Sequence, residues 1–270
     1  MRFAVVGHVE WVEFARVERV PQQGEIVQAL EWWAEAAGGG GVASVRLARL
    51  GESATLFTAL GRDALGEAAL VQLTDLGVRV EAPRHPQPQR RGFTFVDRDG
   101  ERTITIIGEK HVPRGSDPLP WEKLEDTDGV YFVSGDSAAV REARRAGVLV
   151  ATARVLPVLA EAGVQIDALV LSAKDPSERY EPGDLDPPPR LVVRTAGDRG
   201  GTWFAGEGLS GAYEPAPIPG PLADSYGAGD SFAAGLTHAL AAGQSRADAL
   251  AFAATVAAEA LTRRGAHGLA

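Results

Sequence analysis

The 270-residue chain contains no cysteine, which excludes disulfides, thiolate nucleophiles and cysteine-ligated zinc. It also lacks an apolar run approaching the length of a membrane span. Its first segment, Met1-Arg2-Phe3-Ala4-Val5-Val6-Gly7, is too short and enters a strand too early to read as a signal peptide. Lysine is limited to Lys110, Lys123 and Lys174, and acidic residues outnumber basic ones to give a formal net charge of -9. That sign argues against nucleic acid as a partner, because neutralising phosphates needs a basic face. The histidines, His8, His85, His111, His238 and His267, are scattered without metal-ligand spacing. These absences predict a soluble cytoplasmic protein with no membrane partner. What is present, 45% hydrophobic residues, is enough for a sizeable core, read as one domain over 1–270.

The apolar pattern changes character along the chain. Residues 3–7 read as a buried strand, 10–20 alternate loosely, 21–24 form a turn and 26–33 read as a further strand. Four glycines, Gly38 to Gly41, lead into a helix expected over 42–50 and closed by Gly51. A strand follows at 54–60 and an amphipathic helix at 64–76. Asp97-Arg98-Asp99-Gly100 is a hairpin signal between half-exposed strands at 93–96 and 102–107. From about residue 128 strands and helices alternate: strands at 130–133, 148–150, 168–171, 191–194 and 201–205, helices at 138–145, 155–161, 231–242 and 246–262. Such alternation implies a mostly parallel sheet covered on both faces. The half-exposed strands, within 8–35 and 90–108, then belong to a small β lid.

The stretch Asp224-Ser225-Tyr226-Gly227-Ala228-Gly229-Asp230 carries the chemistry. Small residues at a helix N-terminus let an anion approach unpaired backbone N–H groups, assisted by the helix dipole. Asp230 sits at the mouth of that cradle, placed to take a proton from a hydroxyl attacking a phosphate. The plain alternative is a glycine-rich turn and a capping Asp.

Five segments in order resemble the ribokinase, or PfkB, family of sugar and nucleoside kinases. Asp224 to Asp230 is similar to its C-terminal signature, and Gly38 to Gly51, ending Ala48-Arg49-Leu50-Gly51, to its N-terminal one. Thr195-Ala196-Gly197-Asp198-Arg199-Gly200 resembles the nucleotide loop, Asp99-Gly100-Glu101-Arg102-Thr103 the lid hairpin, and Arg263-Arg264-Gly265-Ala266 the C-terminal loop. The resemblance implies an α/β ribokinase-like three-layer sandwich that transfers the γ-phosphoryl of ATP to a primary hydroxyl of a sugar-like or nucleoside-like substrate. Asp230 is then the base and Gly227, Ala228 and Gly229 the anion hole. Ser172, Thr195, Gly197, Asp198 and Gly200 would bind nucleotide, while Glu10, Gly38, Gly39, Val42 and Arg91 would line the acceptor with Asp230. Asp175 would hold Mg2+ through water, and Asp224 with the Tyr226 carbonyl a monovalent cation such as K+, near Ala260, Arg263 and Gly265. A homodimer through the lid strands is also implied.

Departures from the family concentrate at the acceptor end. Glu10 and Val12 stand where an Asn and an Asp hold substrate hydroxyls, and Val42 replaces a sugar-bonding Asn. The family's Asn-x-x-Glu is reduced to Ser172-Ala173-Lys174-Asp175, and its Asp-x-Asn-x-Arg to Arg154. An apolar side chain cannot replace a polar contact, so either the substrate differs or the fold binds ligand without catalysis. Two other motifs are weaker. Gly38 to Ala43 fits a dinucleotide fingerprint but follows no evident buried strand. Gly135-Asp136-Ser137 mimics a nucleophile elbow, with His238 or His267 as base, but lacks the second glycine, and Ser137 reads better as a helix cap.

Overall fold

The computed structural model describes residues 1–268. In chain order its elements are β1 (Arg2–Val6), β2 (Glu10–Arg16), β3 (Glu31–Ala37), α1 (Gly38–Leu50), β4 (Ser53–Phe57), β5 (Leu60–Gly61), α2 (Ala64–Asp75), β6 (Val78–Glu81) and β7 (Arg84–His85). They continue with β8 (Arg91–Val96), β9 (Arg102–Ile107), β10 (Gly129–Phe132), α3 (Ser137–Ala143), β11 (Val148–Thr152), α4 (Leu156–Ala162) and β12 (Ala168–Ser172). The chain closes with β13 (Leu191–Thr195), β14 (Gly201–Ala205), β15 (Ser210–Tyr213), α5 (Ala228–Ala241) and α6 (Arg246–Ala260).

Short Val- and Ala-rich segments build a nine-stranded sheet ordered β15-β14-β13-β12-β11-β10-β1-β4-β6. Its strands from β13 to β6 run parallel, and only the β13–β14–β15 edge is antiparallel. Both faces are buried, which is why these strands read as continuous apolar runs. One face packs Phe3, Val5, Leu56 and Tyr131 against α1, α2, α5 and α6. The other packs Ala4, Val6, Phe57 and Phe132 against α3 and α4, with Phe57 stacked on Trp121 at 5.1 Å. Each fully buried Phe or Leu contributes about 1.5–3 kcal/mol.

The lid is a separate sheet, β3-β2-β8-β9. Alternation on β2 sends Val12 and Phe14 inward, where they meet Trp33, Val42, Val96 and Tyr226. The expected strand at 26–33 is displaced to Glu31–Ala37, because β3 pairs antiparallel with β2 from Glu31–Arg16 to Ala37–Glu10. Ile26 and Leu30 are left exposed in the connection. Trp32 and Trp33 do face opposite ways, 64% and 8% exposed. The hairpin at Asp97 forms as expected, its carboxylate accepting the N–H groups of Asp99 and Glu101.

Helix α1 begins at Gly38, four residues before the expected start, so the glycines occupy its first turn. Packing overrides propensity there: a Cβ on Gly40 would lie 2.6 Å from the His8 carbonyl oxygen. Ser137 does not cap α3. Asp136 does, accepting the Ala139 N–H at 2.8 Å, while Ser137 Oγ donates to Glu161 Oε1 at 2.8 Å. His238 packs between Phe3 and Phe252, and His267 bonds the Ala36 carbonyl, so no nucleophile–base pair forms around Ser137.

Candidate active site

Two helix N-termini face each other. Gly227, at φ +74°, starts α5, and Asp230 follows at its third position. Opposite, the first turn of α1 comes so close that a Cβ on Gly39 would lie 3.0 Å from Asp230 Oδ1 and 2.6 Å from Val133 Cγ1. Gly229 is open, with no atom within 4 Å of where its Cβ would be. Open space at the start of α5 is therefore confined to Gly229: Ala228 N–H makes a long bond to the Ser225 carbonyl at 3.5 Å, and Gly227 packs against Val42.

Asp230 is partly open to solvent, but protein surrounds its carboxylate on the remaining sides. That burial raises its pKa, which the charges of Arg154 and Arg102 and a hydrogen bond from Tyr131 partly offset. A carboxylate in this state is a better proton acceptor than a solvated one. Tyr131, on β10, carried no signal in the sequence; it reads as an ordinary core aromatic.

The acceptor end is polar and crowded with cations. Glu10, 6% exposed, lies 2.8 Å from Arg90 Nε, in an ion pair whose N–H is not aligned for a hydrogen bond, and 3.6 Å from His8 Nε2. Burial raises the Glu10 pKa, while Arg90 and Lys110 counter it. His8 is held neutral, its pKa pushed down to about 3 by burial and by Lys110, Arg90 and Arg154, and its Nδ1 shares a hydrogen bond with Ser134 Oγ. Arg91, expected here, points away: strand alternation puts it on the outer lid face, paired with Glu13, and Arg90 takes the inner position. Val42 is also misplaced by the sequence reading. It is buried in the apolar cluster beneath the lid, where a Cβ on Gly227 would lie 2.7 Å from its Cγ1.

On the phosphate side Ser172 and Thr195 end neighbouring strands and pair in register. Gly197 and Gly200, both at positive φ, turn the loop after β13, and Lys174 reaches within 3.1 Å of a Cβ placed on Gly197. Asp198 is exposed on that loop. A second carboxylate, Glu178, stands three residues beyond Asp175 and had no place in the sequence motif. Buried, Glu178 accepts the Ser172 N–H at 2.6 Å and Arg154 Nε at 2.6 Å. Asp175 lies 3.4 Å from Arg154 Nη2 and is held below the usual carboxylate range chiefly by the Ser177 hydroxyl and N–H. Asp175, Glu178, Glu181 and Ser172 line a cavity of about 350 Å³ with Arg179 and Arg194. Among the described residues no cluster of three or more acidic or histidine side chains is placed to ligate a metal ion directly, so Asp175 and Glu178, both paired with Arg154, could meet a magnesium ion only through its waters. A second cavity, of about 720 Å³, lies between β15 and α6 against Trp203, Tyr213, Pro215, Arg246, Leu250 and Ala254.

A monovalent cation fits less well. Asp224, 1% exposed, already accepts N–H groups from Tyr226 at 2.8 Å and Gly265 at 3.1 Å. The neighbouring Ser225 carbonyl accepts Arg102 Nη1 at 2.7 Å. Arg102 and Arg16 act on Asp224, and Arg264 and Arg49 on Glu35, so guanidinium groups already outnumber these two carboxylates.

Comparison with known proteins decides the family. The model of the pfkB family carbohydrate kinases matches residues 2–177 and 186–269. The chain belongs to that family. It is 30% identical over 254 residues to the ATP-dependent ribose-1-phosphate kinase of Halopiger xanaduensis, covering 87% of this chain and 83% of the relative. Ribokinases of known structure share the fold. That of Thermotoga maritima superposes with a TM-score of 0.77 at 20% identity, over 98% of this chain and 94% of its own. That of Arabidopsis thaliana, complexed with ribose and ATP, gives 0.76 at 21%, over 97% and 93%. This pfkB kinase is accordingly an ATP-dependent phosphotransferase with a ribokinase-like fold, a mostly parallel central sheet and a small β lid. Among the described residues no helix is long and apolar enough to cross a membrane.

Proposed function

We propose that this kinase transfers the γ-phosphoryl of ATP to a primary hydroxyl of a sugar-like or nucleoside-like acceptor that already carries a phosphate or similar anion. The observation that carries the reading is the pair of cations gathered at Glu10 and His8: Arg90 Nε lies 2.8 Å from the Glu10 carboxylate, and the Lys110 charge acts on both residues. A neutral sugar needs no such charge, whereas a phosphate is bound best by guanidinium and ammonium groups. The relative that phosphorylates ribose 1-phosphate points the same way.

In this reading Asp230 accepts the hydroxyl proton, the freed oxygen bonds to the γ-phosphorus, and the bond from that phosphorus to the β–γ bridging oxygen breaks to release ADP. The N–H groups of Gly227, Ala228 and Gly229 take the charge developing on the transferred group. The cavity at Trp203 and Tyr213 is of a size to take the nucleotide base, and the loop at Gly197 with Lys174 the phosphates. Asp175 and Glu178 would hold magnesium, which neutralises phosphate charge when bound. The edge strand β9 exposes Ile104, Ile106 and Ile107, which supports pairing of two lids in a homodimer.

The test is ADP release across ribose 1-phosphate, free ribose and nucleosides. Asp230→Asn should abolish it by about 10²-fold or more. Arg90→Met should raise KM for the phosphorylated acceptor about tenfold with little change in kcat. Free ribose turned over as well as its phosphate, or an unchanged KM in the Arg90 variant, would remove the anionic-acceptor reading.

A further inference from the structure

The lid and the anion hole touch through one side chain. Arg102 opens strand β9 immediately after the hairpin turn, and its Nη1 donates to the Ser225 carbonyl at 2.7 Å. Its guanidinium carbon stands 5.6 Å from the centre of the Tyr226 ring. The same hairpin reaches the loop at its tip, where a Cβ on Gly100 would lie 3.8 Å from the Ala223 carbonyl oxygen. Arg102 thus meets the two residues immediately before Gly227, whose N–H opens the anion hole. Its charge is also felt by both acids of the signature, Asp224 and Asp230.

The loop it contacts is also tied to the chain after α6, where the Leu261 carbonyl accepts the Ala223 N–H at 2.8 Å and Asp224 accepts the Gly265 N–H at 3.1 Å. Tyr226 packs edge-on against Phe14 at 5.1 Å and accepts a long hydrogen bond from the Gly38 N–H at 3.5 Å. Asp224 braces the loop from inside, a buried carboxylate that needs a counter-charge. A bound metal cation would supply that charge and gather carbonyl oxygens. A guanidinium that bonds a loop carbonyl and faces the same carboxylate supplies both.

We propose that Arg102 is a positioning residue that replaces the monovalent cation, fixing the anion hole from the lid so that the triphosphate site is complete only when the lid is seated. The inference rests on the nucleotide reading above. It makes phosphate binding independent of potassium and dependent on a residue outside the signature.

The experiment is calorimetric titration of a non-hydrolysable ATP analogue with magnesium, in potassium chloride and in choline chloride of equal ionic strength. Wild type should bind equally in both salts, within about twofold. Arg102→Met should weaken binding about tenfold or more in choline chloride and recover part of it with potassium or guanidinium added. Arg102→Lys should retain most of the affinity. Thermal unfolding of the Met variant should stay cooperative with its midpoint above the titration temperature, because β9 is exposed along its length and the loss is confined to the loop contact. Wild-type binding that collapses in choline chloride, or an Arg102→Met protein that binds as wild type, overturns the proposal. A wild-type protein that binds no triphosphate in either salt overturns the nucleotide reading itself and this inference with it.

Discussion

Gly229→Ala separates stability from catalysis at the anion hole. Gly229 lies in the first turn of α5 with ordinary helical φ, is exposed, and has no atom within 4 Å of the added methyl. Folding should therefore benefit: alanine removes backbone freedom from the unfolded chain and suits a helix, about 0.5 kcal/mol at a helix end. For a chain of this size that raises Tm by about 1–2 °C. Activity should move the other way, because the space the methyl enters is where a phosphate would meet the N–H groups. Holding the transferred group even slightly away from those donors should cost about 10- to 100-fold in kcat. Differential scanning fluorimetry and initial rates of ADP release on the same preparation decide it. A variant with wild-type kcat would show that the phosphate does not approach there. A variant with lower Tm would show that the site is not open.

Glu35, 1% exposed, accepts the N–H groups of Ala266 and His267, and burial pushes its pKa up from 4.5 to about 7. A raised carboxylate pKa favours folding below pH 4.5 and loses that contribution as pH rises through 7; the shift amounts to about 3 kcal/mol, so thermal melts should show Glu35→Gln gaining on wild type across this window, and parallel curves would refute it. Removing Glu178 leaves the Ser172 N–H without its acceptor, so Glu178→Ala should cost about 1–3 kcal/mol in chemical denaturation. Arg154 is 59% exposed and its ion pair adds little to that figure. Glu178→Gln should restore stability but not kcat if the charge serves the phosphate side, so full recovery of both would assign Glu178 a purely structural role.

The helix start at Gly227 was legible because it depends on backbone. Gly227, Ala228 and Gly229 announce an unpaired helix start by their lack of side chains, and Asp230 follows at fixed spacing. The alternation of strands with helices after residue 128 likewise gave the parallel sheet, since β10 to β13 are short and apolar except at their C-terminal ends. The acceptor end was not legible, for reasons of parity and looping. Arg90 and Arg91 are adjacent and chemically identical, and only the pairing of Arg91 with Trp11 decides which faces inward. Glu178 was missed because the chain turns after Asp175 and returns the later carboxylate to the Ser172 N–H. Glu31–Ala37 carries a pattern of no clear period, and its strand exists through the register with β2.

The glycine run of α1 ties these two ends together. Glycine is a poor helix former, and four in one turn cost about 3–4 kcal/mol relative to alanine. Gly39 and Gly40 meet Val133 and the His8 carbonyl at distances that no Cβ tolerates, Gly39 also lies tight against Asp230, and Gly38 adopts φ +77°. The cost therefore supports close approach: the N-terminus of α1 is brought onto Asp230 from the side opposite α5. Two positive helix ends then converge on a carboxylate whose pKa burial raises, with Arg154, Arg102 and Tyr131 countering part of that rise. The acceptor cations, Arg90 and Lys110, reach the same space from the lid side of the site. A substrate carrying its own negative charge would be drawn between these groups and present its hydroxyl to Asp230. On the proposed reading, rebuilding the acceptor end with charge while keeping the α1 and α5 termini would alter which molecule is phosphorylated without altering how.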